Sequence, residues 1–255
     1  MDLGLSGRAA LVTGASGGIG AAIARAFVRE GANVALGYHA AEHRARHLAE
    51  QIDPGGERTR LVHLDLGDPE TIRAAVELTV QSWGRLDAMV ASAWAAPDWL
   101  PPDTPAEAVP AHAWQAQLRV NVEGTAATIQ AVLPQMRTQQ WGRIVLLSSG
   151  AADGAPGLEH YAAAKAALRG ISRSLAASAG PAGILTNIVM PGLVATEKHR
   201  GTIPAQAFEQ WAAQTPTRRL STEDDVANLA VFLASPANAN TTGTEIRVDG
   251  GRGLG

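Results

Sequence analysis

Short runs of β-branched and aliphatic residues alternate along the chain with longer stretches in which apolar positions recur every three to four residues. AALVTG, NVALGY, RLVHLDL, DAMVAS, RIVLLSS and ILTNIVMPG read as strands. IGAAIARAFVREG, residues 42–51, residues 69–83, a stretch ending near Arg137 and another starting at Tyr161 read as helices. Strands this apolar are covered on both faces, and strands that alternate with helices make βαβ units. The pattern therefore predicts an α/β fold, a doubly wound parallel sheet flanked by helices. In such sheets ligands sit outside the carboxyl ends of the strands.

Punctuation agrees with these elements. Gly31 follows a helix as a left-handed cap residue does, and Pro69 sits where a first helical turn tolerates a missing N–H. The stretch from Pro97 to Pro110 holds five of the 14 prolines and is expected to be loop or helix start, not strand. No repeat, low-complexity tract or shift in composition marks a linker, so residues 1–255 read as a single domain.

Composition removes several classes of function. With 46% hydrophobic and 18% charged residues the chain is globular rather than disordered. A net charge of −3 with both signs dispersed argues against nucleic acid or an anionic membrane as a partner. The chain has no cysteine, which excludes disulfides, thiolate metal sites and thiol nucleophiles. No apolar run approaches the roughly 18 residues of a membrane span, and the N-terminus lacks the pattern of a secretory leader, so a cytoplasmic, unprocessed protein is expected.

TGASGGIG, residues 13–20, follows the first strand and opens the first helix. Gly14 permits a tight turn, Gly18 lets the backbone approach a pyrophosphate, and Gly20 lets helix and strand pack closely. The helix N-terminus then faces the phosphate charge, which points to dinucleotide binding on a Rossmann-type sheet. Tyr161 and Lys165 are four apart in YAAAKAAL, a run of strong helix formers, and share one helix face. A lysine ammonium at that distance favours a phenolate, and a positive nicotinamide nearby would do the same. Bringing a tyrosine from about 10 toward 7 requires about 4 kcal/mol, and Tyr161 then acts as a general acid near neutral pH. Asn121 lies within an otherwise apolar helical stretch, where a buried amide must find partners.

The glycine spacing, together with Asp65 in HLDLGD, Asn121 in RVNVEG, Ser148–Ser149, Tyr161 with Lys165, PGLVAT from Pro191 and VDGG near the C-terminus, resembles the short-chain dehydrogenase/reductase family over nearly the whole chain. The resemblance implies carbonyl reduction by hydride transfer from a nicotinamide, with Tyr161 protonating the oxygen. It implies that a serine positions the carbonyl: strand register selects Ser149, while Ser148 has the common spacing of 13 residues before Tyr161. It gives Asn121 the task of holding a water on a proton relay with Lys165. Gly14, Ser16, Gly18, Ile19 and Gly20 would face the pyrophosphate, Asp65 and Leu66 the adenine, and Ala93 the ribose. The turn at Pro191 and Gly192, the Val194 backbone and the Thr196 hydroxyl would hold the nicotinamide carboxamide, with Asn187 on the strand before them. Tyr38 and His39 stand after the second strand, where NAD-binding relatives carry a carboxylate, so NADP(H) is expected, with His43 and Arg44 nearby for its phosphate.

Residues 193–211 occupy the position of a substrate lid and read as a long loop. Trp94, Trp99, Leu193, Phe208 and Trp211 are expected around the pocket, with Ser149 at its base, favouring a flat, apolar ketone. At the fourth strand's exit this chain has Ala91, Ser92, Ala93 and Trp94 where relatives resemble Asn-Asn-Ala-Gly. Trp94 there either points into the cleft mouth or packs beneath the proline-rich loop. These features are similar to ketoreductases that tailor aromatic polyketides of the angucycline type in antibiotic biosynthesis. A 3-oxoacyl-(acyl-carrier-protein) reductase and a non-catalytic NADP-binding regulator are the alternatives. The resemblance also implies a homotetramer or dimer.

Overall fold

The computed structural model describes residues 2–97, 100–101 and 104–254. Its strands are β1 (Ala9–Thr13), β2 (Asn33–Tyr38), β3 (Thr59–His63), β4 (Ala88–Ala91), β5 (Gly142–Leu147), β6 (Ile184–Pro191) and β7 (Glu245–Val248). Among the described residues they form one parallel sheet in the order β3-β2-β1-β4-β5-β6-β7. The order reverses direction at β1 and β4, so the two neighbouring strand ends open a crevice there. The expected doubly wound fold is present.

Alternation along each strand sends side chains to two cores. Val12, Leu36, Val90, Val145 and Val189 face one side, where α1 (Gly18–Arg29) and α9 (Glu223–Leu233) bring Ile23, Phe27, Val226 and Val231. Leu11, Met89, Ile144, Leu146 and Ile188 face the other, against α3 (Pro69–Trp83), α5 (Thr125–Gln139) and α6 (Glu159–Ala179). Every residue of β1, β5 and β6 is buried, as a sheet covered on both faces requires. Between β2 and β3 lies α2 (Glu42–Ile52). Among the described residues no helix is long and apolar enough to cross a membrane.

Local chemistry sets the element ends. Asp68 caps α3 by accepting the Glu70 N–H at 2.9 Å, Pro69 begins the helix, and Gly84 closes it at φ +69°. Thr222 and Asp225 cap α9 reciprocally. The proline-rich stretch, where described, carries no strand and leads through a short turn at Ala106–Ala108 into α4 (Ala111–Leu118). The helical run expected around Asn121 is not uniformly α-helical: Arg119–Gly124 winds as a π-turn between α4 and α5. Such insertions re-aim side chains at functional sites. Gly124 closes this turn against the loop after β3, where a Cβ would stand 2.3 Å from the Leu66 carbonyl oxygen. Gly124→Ala is expected to cost ~1–3 kcal/mol of stability through that clash. Urea unfolding checks this, and an unchanged midpoint would contradict the packing described.

Candidate active site

The ends of β1, β4, β5 and β6 converge on one cleft. Gly14 leaves β1 at φ +67°, and a Cβ there would lie 2.8 Å from Ala93 Cα; a Cβ on Gly20 would lie 2.3 Å from the Gly14 oxygen. Both positions therefore require glycine. A Cβ on Gly18 would meet nothing nearer than Thr196 Cγ2 at 3.6 Å, so this glycine keeps space open beside a backbone at φ +45°. Ser16 is half-buried in the turn, and Ile19 anchors it on the core. Ala15 N–H donates to the Gly37 oxygen at 2.8 Å, tying the turn to β2. Helix α1 starts with no side-chain cap and no acidic residue in its first turn, leaving its first N–H groups and positive end toward that space. These features fit the pyrophosphate of a dinucleotide.

At the outer end of this groove Tyr38 and His63 stack edge to face, with ring centroids 5.6 Å apart. Tyr38 hydrogen-bonds Glu42, and burial, reinforced by that carboxylate, raises its pKa. His39 is largely exposed, with Nε2 3.5 Å from Asp65 Oδ2. The other Asp65 oxygen accepts the Gly67 N–H at 2.8 Å, so Asp65 shapes its own turn while also facing the groove. Leu66 is 8% exposed and belongs to the core against α3 and α5. His43 and Arg44 stand exposed on the first turn of α2.

At the end of β5 the two candidate serines separate. Ser148 Oγ is buried and donates to the Lys165 backbone oxygen at 3.2 Å, while Ser149 hydrogen-bonds the Tyr161 hydroxyl and accepts the Ala151 N–H at 3.2 Å. Lys165 is 5% exposed, and its Nζ donates to the Leu147 oxygen at 3.0 Å. Burial lowers its pKa to about 8. Tyr161 departs from expectation: burial raises its pKa, and the Ser149 hydrogen bond only opposes this. The ammonium lies 5.8 Å from the Tyr161 ring centroid and is already used by Leu147. The protein alone thus holds Tyr161 neutral instead of bringing it toward 7. Asp153, in the short helical turn after Ser149, pairs with Arg169 of α6 and Arg247 of β7 and ties the loop in place.

The exit of β4 is fixed from both sides. Thr13 Oγ1 accepts the Ser92 and Ala93 N–H groups at 3.1 and 3.0 Å. Asn121, 2% exposed, accepts the Ala95 N–H at 3.3 Å and donates to Gln117 Oε1 at 2.7 Å. Gln117 in turn donates to the Ala95 and Ala96 oxygens at 3.3 and 3.1 Å. Asn121 is therefore a brace for this exit, reached through the π-turn. Trp94, between the two anchors, is 43% exposed, and its ring centroid is 5.8 Å from that of Tyr161. It stands at the cleft mouth, not in the core. Trp99 lies outside the described residues.

Beyond β6, Pro191 is buried, and Gly192 passes so close to Asp249 that a Cβ would meet its Cβ at 2.7 Å. Val194 is core, and its carbonyl accepts from Thr196 N–H at 2.8 Å and bonds His199 Nδ1 at 2.7 Å. Thr196 Oγ1 caps α7 (Glu197–Thr202) by accepting the His199 N–H at 3.2 Å. The long loop expected over 193–211 is instead largely helical, α7 followed after Pro204 by α8 (Ala205–Gln214), because each start has its own signal. Leu193 is half-buried, and Phe208 and Trp211 pair on α8 with centroids 6.1 Å apart. Asn187 donates to the Thr241 oxygen at 2.7 Å and accepts from Thr244, which makes it a brace for the segment before β7. Gln117, Asp153 and His199 carry no motif, and their partners lie on other elements or beyond local spacing.

A family model described as Enoyl-(Acyl carrier protein) reductase matches residues 14–252. The chain is 35% identical over 250 residues to L-rhamnose 1-dehydrogenase (NAD(P)(+)) from Sphingomonas sp., covering 97% of this chain and 96% of that one. It is 33% identical over 245 residues to the 3-oxoacyl-(acyl-carrier-protein) reductase of Staphylococcus aureus, covering 96% and 97%. Among solved structures, a gluconate 5-dehydrogenase from Burkholderia cenocepacia J2315 in complex with NADP and tartrate superposes with a TM-score of 0.89 at 29% identity, covering 100% of this chain and 98% of that one.

Burying Lys165 has a stability consequence. Below about pH 8 the lysine is protonated in folded and unfolded chains alike, and the folded state carries the whole burial penalty. Between about 8 and 10.5 only the unfolded chain keeps the proton, so stability rises with pH, and above 10.5 the penalty is gone. Lys165→Met is expected to be more stable than the natural chain at pH 7 by up to ~3 kcal/mol, the gap closing toward alkaline pH. Urea unfolding of both proteins at pH 7 and pH 10 measures it; equal stability at pH 7 would contradict the burial penalty.

Proposed function

This chain belongs to the short-chain dehydrogenase/reductase family and is an oxidoreductase of CH–OH/C=O pairs that binds a nicotinamide cofactor; from that premise we propose that it reduces an apolar, fused-ring aromatic ketone of polyketide type with NADPH. The observation that carries the substrate class is the exposed Trp94 indole beside Tyr161. It gives a ketone a flat apolar wall next to the proton donor. The Phe208–Trp211 pair on α8 extends that character into the lid, formed by residues 193–211. A sugar requires dense polar recognition, and aromatic walls supply little of it.

When bound, the reduced nicotinamide supplies a hydride from C4 to the carbonyl carbon and leaves oxidised. Gly18 and the start of α1 would receive the pyrophosphate, with Gly14 and Gly20 shaping the turn, and the backbone around Pro191–Thr196 would border the nicotinamide. Absence of a carboxylate at Tyr38–His39 themselves supports NADPH over NADH, while Asp65 beside His39 and Glu42 beside Tyr38 are the opposing charges. Ser149 donates to the carbonyl oxygen and fixes its direction. As the C–H bond forms, the C=O π pair moves to oxygen, which takes the proton of Tyr161. The raised pKa of Tyr161 suits this step, because a phenol that keeps its proton at neutral pH is ready to donate. Lys165 serves proton return to Tyr161, while Asn121 is engaged with Ala95 and Gln117.

The 3-oxoacyl-(acyl-carrier-protein) reductase reading is favoured by a specific relative at 33% identity and stands as the second reading. NADPH oxidation with 2-tetralone and with an acetoacetyl thioester separates the two. Higher kcat/KM for the tetralone is expected, and turnover of the thioester alone would overturn the substrate class. Tyr161→Phe is expected to lower the rate by ~10²–10⁴-fold without weakening NADPH binding. An undiminished rate would remove Tyr161 from the chemistry.

A further inference from the structure

Apart from the Tyr161 ring, no aromatic contact holds Trp94 among the described residues. It is 43% exposed and projects from a segment that has already left β4. Its position is set by the peptides on either side. Ala93 is fixed against the glycine turn, its N–H on Thr13 Oγ1 at 3.0 Å and its Cα where a Gly14 Cβ would stand. Ala95 and Ala96 are fixed by Gln117, which donates to both carbonyls, and by Asn121. Gln117 is 1% exposed, and its carboxamide spends both ends on this clamp, Oε1 accepting from Asn121 Nδ2 at 2.7 Å. A buried amide engaged at both ends is costly to rotate, because rotation leaves its own buried carboxamide and that of Asn121 without partners.

We propose that Gln117 is a specificity-determining positioning residue, which sets the place of Trp94 over Tyr161 and thereby selects flat cyclic ketones over flexible acyl chains. It touches neither reacting atoms nor substrate and acts through the Ala95–Ala96 peptides. A loosened segment frees Trp94 to leave the wall position, and a flat ketone loses its stacking surface while an acyclic one loses little. This rests on the carbonyl-reductase reading above.

The test is the ratio of kcat/KM for 2-tetralone to that for an acetoacetyl thioester, measured in the full chain with NADPH. Gln117→Met, close in shape but without hydrogen bonds to offer, is expected to lower the ratio about tenfold through KM for the tetralone, with kcat within about twofold. Trp94→Gly is expected to lower it to a similar extent, and the double variant no further than Trp94→Gly alone, as coupled residues behave. An unchanged ratio in Gln117→Met, even with a lowered melting temperature, would make Gln117 merely structural. An undiminished effect of Gln117→Met in the Trp94→Gly background would route it through Asn121 and also overturn the proposal. If Gln117→Met does not fold, Gln117→Asn, which keeps the amide but falls one methylene short of the two carbonyls, is read the same way. A natural chain that reduces neither ketone would sink the reductase reading itself, whereas an active natural chain with an unmoved ratio sinks only the role of Gln117.

Discussion

The close approach of the turn after β1 to the exit of β4 is the constraint on which the cleft depends. Gly14 comes so near Ala93 that a methyl group would stand 2.8 Å from its Cα, and Thr13 accepts the Ser92 and Ala93 N–H groups. The residue that lets the backbone turn toward a pyrophosphate is therefore the same residue that fixes where Trp94 leaves the sheet. In the proposed function the cofactor side and the substrate side share this contact, so a change on either is felt by the other. The parallel sheet supplies the setting, since its order reverses at β1 and β4 and opens the crevice between them.

Chemistry in this cleft is built from groups that burial disfavours. Lys165, Asn121 and Gln117 are each at most 5% exposed, and each meets the cost of desolvation with specific partners: Leu147, Ala95, Ala96 and one another. The lysine stays strained in its charged form, with a pKa of about 8. Tyr161 is shifted the opposite way by the same burial, which keeps its proton in place. Function here draws on stability, as sites built from buried polar groups do.

Local patterns made much of this legible in the sequence. The strand–helix rhythm, the three glycines and the Tyr161–Lys165 spacing are short-range, and the structure puts them at one set of strand ends. Strand register also sends Ser149, not Ser148, toward Tyr161. Long-range partnership was hidden. Asp153 meets Arg169 and Arg247, which come from α6 and β7, and Gln117 on α4 meets Ala95 and Ala96, which precede it by 22 and 21 residues. No spacing rule announces either. Residues 193–211 hold two helices rather than one loop because Thr196 caps α7 and Pro204 precedes α8, and the proton affinity of Tyr161 in the protein alone depends on burial, which a four-residue spacing does not report.

The destination of the hydride tests the account most directly. A bicyclic enone offers both a carbonyl carbon and a conjugated C=C bond, and NADPH carrying deuterium at both C4 positions labels whichever carbon receives the hydride. The proposed action of Ser149 and Tyr161 on one carbonyl oxygen predicts the allylic alcohol with deuterium on the carbinol carbon. A saturated ketone with deuterium on the β-carbon, or no transfer to either carbon, would contradict it.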